Sequence, residues 1–273
     1  MIIDGHAHAS GEFLKPESII NKLDEVGVDK VVLVPGELES TKSYYLPNLA
    51  RLFPSKNVVK ATNLLSKFII GVAGTVKQIS EGNKHVYDLT QKTNERVIQF
   101  IWITQQIENP KAYLSEKLAK WNFKGVKLHQ CWETYHIDSD FFRVVAKWAE
   151  KNNSPLFIHL YSDKDVRQII EYKKEHPDLK LIIAHLFGLE LFIKDNFKYA
   201  NLYFDISTLQ LTSTKRLMDA IRFVGAENVI LGSDTPYGKN NLQKNIDRIK
   251  NLDISTEEKN FILGNNMKQL LKI

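Results

Sequence analysis

Two histidines one residue apart, in the run Ile2 Ile3 Asp4 Gly5 His6 Ala7 His8, are the first residues of this sequence able to do chemistry. In an extended strand, side chains two apart share a face roughly 6.5 Å from each other, so both imidazoles can reach one metal ion. Further ionisable groups recur at the ends of apolar runs. Lys127 and His129 close Gly125 Val126 Lys127 Leu128 His129, His159 follows Leu156 Phe157 Ile158, His185 follows Leu181 Ile182 Ile183 Ala184, and Asp234 follows Gly232 Ser233. A buried imidazole or charge without a partner is costly, so several gathered in one place imply a shared metal, a bound ligand or a tight polar network.

The elements that must position these groups follow a rhythm. Short runs rich in Val and Ile alternate with amphipathic segments of about ten to fifteen residues, the pattern of parallel strands with crossover helices. Eight strands are predicted, near 2–6, 30–34, 97–103, 125–129, 156–160, 181–185, 202–206 and 229–232, with helices over 140–151 and 164–174 capped by Ser139 and Asp163. Eight such repeats make a (β/α)8 TIM barrel the simplest closed solution, with catalytic groups at the C-terminal ends of the strands. The interval 35–95 is too long for one crossover helix, so it reads as an insertion between the second and third strands. Part of it, around Phe68 Ile69 Ile70 Gly71 Val72 Ala73 Gly74, is placed to act as a lid, with extra outer helices the alternative.

At 273 residues, with no Gly/Ser/Pro-rich linker or repeat, the chain reads as a single domain over 1–273. The net charge of +5 comes from lysines scattered among acidic residues, which argues for a solvated surface and against a nucleic-acid footprint. Cys131 is the only cysteine, so no intrachain disulfide or cysteine-rich metal cluster can form, and it lacks a Cys–His pattern of its own. Met1 leads directly into the first apolar run and no run is long enough to span a bilayer. The expectation is a cytoplasmic protein acting on a small-molecule substrate, without membrane or nucleic-acid partners; the oligomeric state is left open, a homodimer included.

The order His-x-His, His, His and Asp at successive strand ends resembles the amidohydrolase superfamily. Asp4 Gly5 His6 Ala7 His8, Gly125 Val126 Lys127 Leu128 His129, Ile183 Ala184 His185 Leu186, Gly232 Ser233 Asp234 Thr235 Pro236 and the tail from Ile262 to Leu271 point to its amidohydrolase-related (amidohydrolase 2) branch, which also includes decarboxylases. The resemblance implies that His6, His8, His159 and Asp234 bind a divalent metal, most simply zinc, which activates water. It implies further that Asp234 doubles as the proton acceptor and that His185 is an acid/base or an electrostatic partner. Lys127 is either carboxylated, bridging a second ion with His185, or an ammonium facing an anionic substrate; one metal is the expectation. His129, Trp132 and Tyr161 are candidate substrate contacts, and Asp205 a backbone partner. The reaction expected is metal-dependent hydrolysis of a small carbonyl substrate, an amide, lactone or ester, the alternative being nonoxidative decarboxylation of an unsaturated or aromatic carboxylic acid.

Overall fold

The computed structural model describes residues 1–38, 41, 43–64, 67 and 79–273. Eight strands pair in parallel in chain order: β1 (Ile3–Ala9), β2 (Lys30–Pro35), β3 (Val97–Trp102), β4 (Gly125–His129), β5 (Leu156–His159), β6 (Leu181–Ile183), β7 (Leu202–Asp205) and β8 (Val229–Ile230). Backbone bonds close the ring between the last strand and the first: Gly5 N–H donates to Leu231 O at 2.8 Å, and the N–H groups of Ser233 and Asp234 donate to His6 O at 3.1 and 2.7 Å. This is the predicted (β/α)8 barrel, with its insertion between β2 and β3. Among the described residues no helix is long and apolar enough to cross a membrane.

Strand periodicity divides the core in two. Val31, Leu33, Val126, Leu128, Leu156 and Ile158 face outward into the layer beneath the helices. Val32, Val34, Ile98, Phe100, Phe157, Ile182 and Ile230 fill the barrel interior, where Met267 and Leu270 of the C-terminal helix Asn266–Leu271 join them. Each fully buried Phe or Ile in these layers stabilises the fold by about 1.5–3 kcal/mol.

One irregularity aims the site. Against β2, Asp4 pairs with Val31 but Ala7 pairs with Leu33, so β1 carries one extra residue between them. Such a bulge reverses side-chain parity. Ile3 therefore points into the barrel floor, and His6 and His8, rather than their neighbours, point inward above it. Gly5 sits at this bulge because a Cβ there would stand 2.5 Å from Ile230 Cγ2 and 2.9 Å from Leu231 O.

Helix Asp140–Lys151 begins where expected, its Ser139 cap accepting from Phe142 N–H. The next helix is Asp163–Glu175, and its cap is Ser162 rather than Asp163. Ser162 forms a capping box with Asp165, leaving Asp163 in the first turn where its charge suits the helix dipole. Within the insertion, helix Ile79–Lys92 is the crossover proper: Asn83 bonds both the N–H and the C=O of Trp102, at 2.8 and 2.7 Å. The preceding part contributes helix Leu49–Leu52 and a helical turn over 59–64. The candidate lid, Phe68 to Gly74, lies outside the described residues.

Candidate metal centre

The inward positions of the strands stack in layers. Trp102, Lys127, Phe157 and Ile182 are register partners across β3 to β6, and one step higher His129 pairs with His159. Lys127 is consequently fully buried, while His129 and His159, at the rim, each retain 8 % exposure. The Lys127 ammonium lies 4.1 Å above the Phe157 ring and 3.2 Å from His6 Nε2.

Three imidazoles point the same nitrogen at Asp234. His8 Nδ1 donates to Pro35 O at 2.8 Å, and His185 Nδ1 donates to Ser207 O at 2.5 Å. His6 Nδ1 bonds Ser207 Oγ at 2.9 Å and lies 3.3 Å from Asp205 Oδ2. A neutral imidazole has one N–H and one lone pair, so these partners fix the proton on Nδ1 and turn the Nε2 lone pairs inward, that of His6 accepting from the Lys127 ammonium. The Nε2 atoms stand 3.6 Å (His6) and 3.4 Å (His8) from Asp234 Oδ1, and 3.9 Å (His185) from Asp234 Oδ2.

The backbone is held to this purpose. His185 and Asp234 both have left-handed φ, 57° and 56°, which disfavours branched side chains and persists only where neighbours enforce it. Asp205 Oδ2 accepts from His185 N–H, and His6 O accepts from Asp234 N–H. Asp205 also accepts from the Ser207 hydroxyl at 2.5 Å and its N–H at 3.1 Å. Gly232 permits this approach, since a Cβ there would lie 2.2 Å from Asp205 Oδ1.

Electrostatics follow from burial. Desolvation holds His6, His129 and His159 well below the ordinary imidazole value, assisted by Lys127 or neighbouring imidazoles. Burial works to raise Asp234, but His185, His6 and His8 outweigh it and the carboxyl ends below its usual range. Desolvation brings Lys127 down to about 8. Burial pushes Asp4 up to about 7; its Oδ1 accepts from Ser233 N–H at 2.8 Å, while Oδ2 has no hydrogen-bond partner among the described residues.

The donor set fits a divalent cation. Ligand atoms of His6, His8 and Asp234 lie within 4.8 Å of one another, two imidazole lone pairs and a carboxylate oriented by bonds from behind. His6, His185 and Asp205 form a second such group. There the geometry is hydrogen bonding through protonated Nδ1 atoms, which orients the rings.

His159 is in neither group. Its Nε2 lies 2.9 Å from Asn63 Oδ1, and its ring stacks on His129 at 4.0 Å and meets His185 edge-on at 4.8 Å. His129 Nδ1 accepts from Cys131 N–H at 3.2 Å, which places its own proton on Nε2. The His129 ring is nearly parallel to Trp102, with Trp132 edge-on to both. Tyr161 is half-buried, beneath the Lys67 ammonium. Cys131 is buried, its thiol pushed up to about 12 by desolvation, which leaves no thiolate nucleophile.

Sequence reasoning missed Ser207, Asn63 and Trp102 and gave Asp205 only a backbone role. Asp205 ends a strand, so the criterion that found Asp234 could have promoted it. Ser207 and Asn63 carry no ionisable group, and Trp102 reads as core.

The amidohydrolase family profile matches residues 3–273. Many solved structures share the fold, three of them as follows. The 2,6-dihydroxybenzoate decarboxylase from Rhizobium aligns with TM-score 0.70 at 13% identity over 99% of this chain and 98% of that one. The 5-carboxyvanillate decarboxylase from Novosphingobium aromaticivorans, complexed with manganese and 4-hydroxy-3-methoxy-5-nitrobenzoic acid, aligns with TM-score 0.62 at 15% identity over 93% and 79%. The 4-oxalomesaconate hydratase from Rhodopseudomonas palustris aligns with TM-score 0.66 at 14% identity over 100% and 96%. No curated protein matches the sequence. At these identities the likeness to solved structures is one of fold. The near-complete profile match, together with the convergent His6, His8 and Asp234, shows that this chain is a metal-dependent enzyme of the amidohydrolase family.

Proposed function

We propose that the protein is a nonoxidative decarboxylase of an unsaturated or aromatic carboxylic acid. One observation supports this over hydrolysis of a neutral carbonyl: beside the ligand trio the mouth offers a fully buried ammonium, Lys127, and an Nε2–H donor, His129, stacked on a flat aromatic wall. A cation and an N–H donor suit a carboxylate; a parallel imidazole–indole pair suits a planar, conjugated body. Two of the fold relatives are decarboxylases of ring carboxylic acids by name.

In this reading His6, His8, Asp234 and His159 hold one divalent ion, zinc by donor type, with manganese, named for one relative, the second candidate. When bound, the ion supplies Lewis acidity that offsets the negative charge of the substrate. Lys127 and His129 orient the carboxylate. Trp132 and Tyr161 border the slot. Asp234, ionised at rest and with His185 behind it, takes a proton from solvent and passes it to the carbon bearing the carboxylate. The carbon–carbon bond then breaks, carbon dioxide leaves, and the electron pair of that bond restores the conjugated system. Phe157 and Trp102 exclude water from the floor, which disfavours hydrolysis.

The test is product analysis on a panel of aryl and dienyl carboxylates beside lactones, esters and amides, with zinc or manganese added. Carbon dioxide release from a carboxylate, lost on chelation, is the expected result. Turnover of a lactone, ester or amide without carbon dioxide would return the assignment to a hydrolase.

A further inference from the structure

The insertion meets His159 through the side chain of Asn63. Asn63 is 2 % exposed and lies at the end of β5. Its Nδ2 donates to Leu160 O at 3.0 Å and Tyr161 O at 3.2 Å, so the orientation of the amide is fixed and Oδ1 must be the atom facing His159 Nε2 at 2.9 Å. A carbonyl oxygen only accepts. His159 Nε2 therefore carries a proton, whereas ligation through that atom requires its lone pair. The two arrangements exclude each other. The same helical turn is tied to the β5 end by Lys60 Nζ, 2.5 Å from Asp163 Oδ2, and anchored by the fully buried Val59.

We propose that Asn63 is a latch that competes with the metal for His159 Nε2, so that metal loading and docking of the 59–64 turn are coupled in opposite directions. The proposal rests on the reading of His159 as a ligand. With the latch closed, the centre is the trio His6, His8 and Asp234, and His159 is an N–H donor held aside. To ligate, His159 gives up Asn63 and carries its proton on Nδ1 instead. Linkage makes the coupling reciprocal: whatever weakens the Asn63 contact tightens metal binding, and the metal loosens the turn.

Zinc affinity, measured by competition with a chelating dye on chelator-stripped protein, reads the first half. Asn63→Ala should bind zinc about three- to tenfold tighter than the wild type, the worth of one hydrogen bond that no longer has to be broken. Hydrogen exchange of the wild type reads the second half without any variant: zinc should speed exchange of the amides over 59–64. Unchanged or weaker affinity in Asn63→Ala overturns the latch. If that variant does not fold, unchanged or slower exchange over 59–64 on adding zinc overturns it alone. His159→Ala separates the latch from the reading beneath it. Weakened zinc binding in His159→Ala, with no gain in Asn63→Ala, rejects the latch only; full zinc affinity in His159→Ala rejects the ligand role and the latch with it.

Discussion

The histidines of β1 and the one just after β6 share one barrel mouth with those of β4 and β5, His185 and His159 lying edge-on at 4.8 Å, yet the two sets present opposite chemistry to it. His6, His8 and His185 have Nδ1 hydrogen-bonded to Ser207 or Pro35, which turns Nε2 lone pairs toward Asp234. His129 and His159 have partners that place a proton on Nε2, so that set offers N–H groups. The residue type is the same, and the neighbour behind each ring decides whether it is a ligand or a donor. One set of imidazoles is thus built to hold a cation and the other to meet an anion. His159 alone can change sets, by exchanging Asn63.

The comparison breaks first at Asp234, which the three lone pairs face. Asp234→Asn should lower turnover by on the order of a thousandfold or more while leaving the circular dichroism spectrum unchanged; near-normal turnover would remove its proton-transfer role. Ser207→Ala should weaken zinc binding by about ten- to a hundredfold, because the Ser207 hydroxyl orients His6 and donates to Asp205, while the Ser207 carbonyl that holds His185 is kept. Titration against a chelating dye reads that change, and unaltered affinity would show that the His6 ring holds its tautomer without the Ser207 hydroxyl.

In the second set, His129→Phe keeps an aromatic ring stacked on Trp102 but removes the N–H. It should raise KM for a carboxylate substrate by about tenfold, with zinc affinity unchanged within about twofold. A loss of zinc binding in this variant would erase the distinction between the two sets.

The smallest expected effect is on stability. His6, His129 and His159 are held below the ordinary value of 6.5 by burial, so the unfolded chain takes up protons that the folded one refuses, and stability is lost as pH falls below 6.5. Asp4, raised to about 7 by burial, acts in the opposite sense: it stabilises most below its ordinary 3.8 and loses that contribution as pH rises through about 7. Three groups outweigh one, and the metal-free protein should melt a few degrees lower at pH 5.5 than at pH 7.5, by calorimetry, of the order expected for a small change in ΔG. An equal or higher Tm at pH 5.5 would mean that these imidazoles are not held neutral.

The barrel was legible because parallel strands buried on both faces write themselves as Val/Ile runs, and the rim because ionisable residues at the ends of such runs are conspicuous. His6, His8, His185 and Asp234 could be placed together from that alone. The tautomers could not, because they depend on Pro35, Ser207 and Asn63, whose backbone or neutral side-chain groups carry no pattern in the sequence. Nor could the bulge in β1: simple alternation puts Asp4 on the His6 face, whereas the extra residue before Ala7 separates them and leaves Asp4 bonded to the backbone of Ser233. The Asp163 cap failed for a similar reason, since Ser162 one residue earlier completes a reciprocal box that Asp163 cannot.

The central claim is that a divalent ion sits where the His6 and His8 lone pairs meet Asp234. Anomalous diffraction from a crystal grown with manganese tests it most directly. The account predicts a peak within ligand distance of His6 Nε2, His8 Nε2 and an Asp234 carboxylate oxygen. Full manganese occupancy elsewhere on the molecule, with no peak among those three atoms, would contradict it.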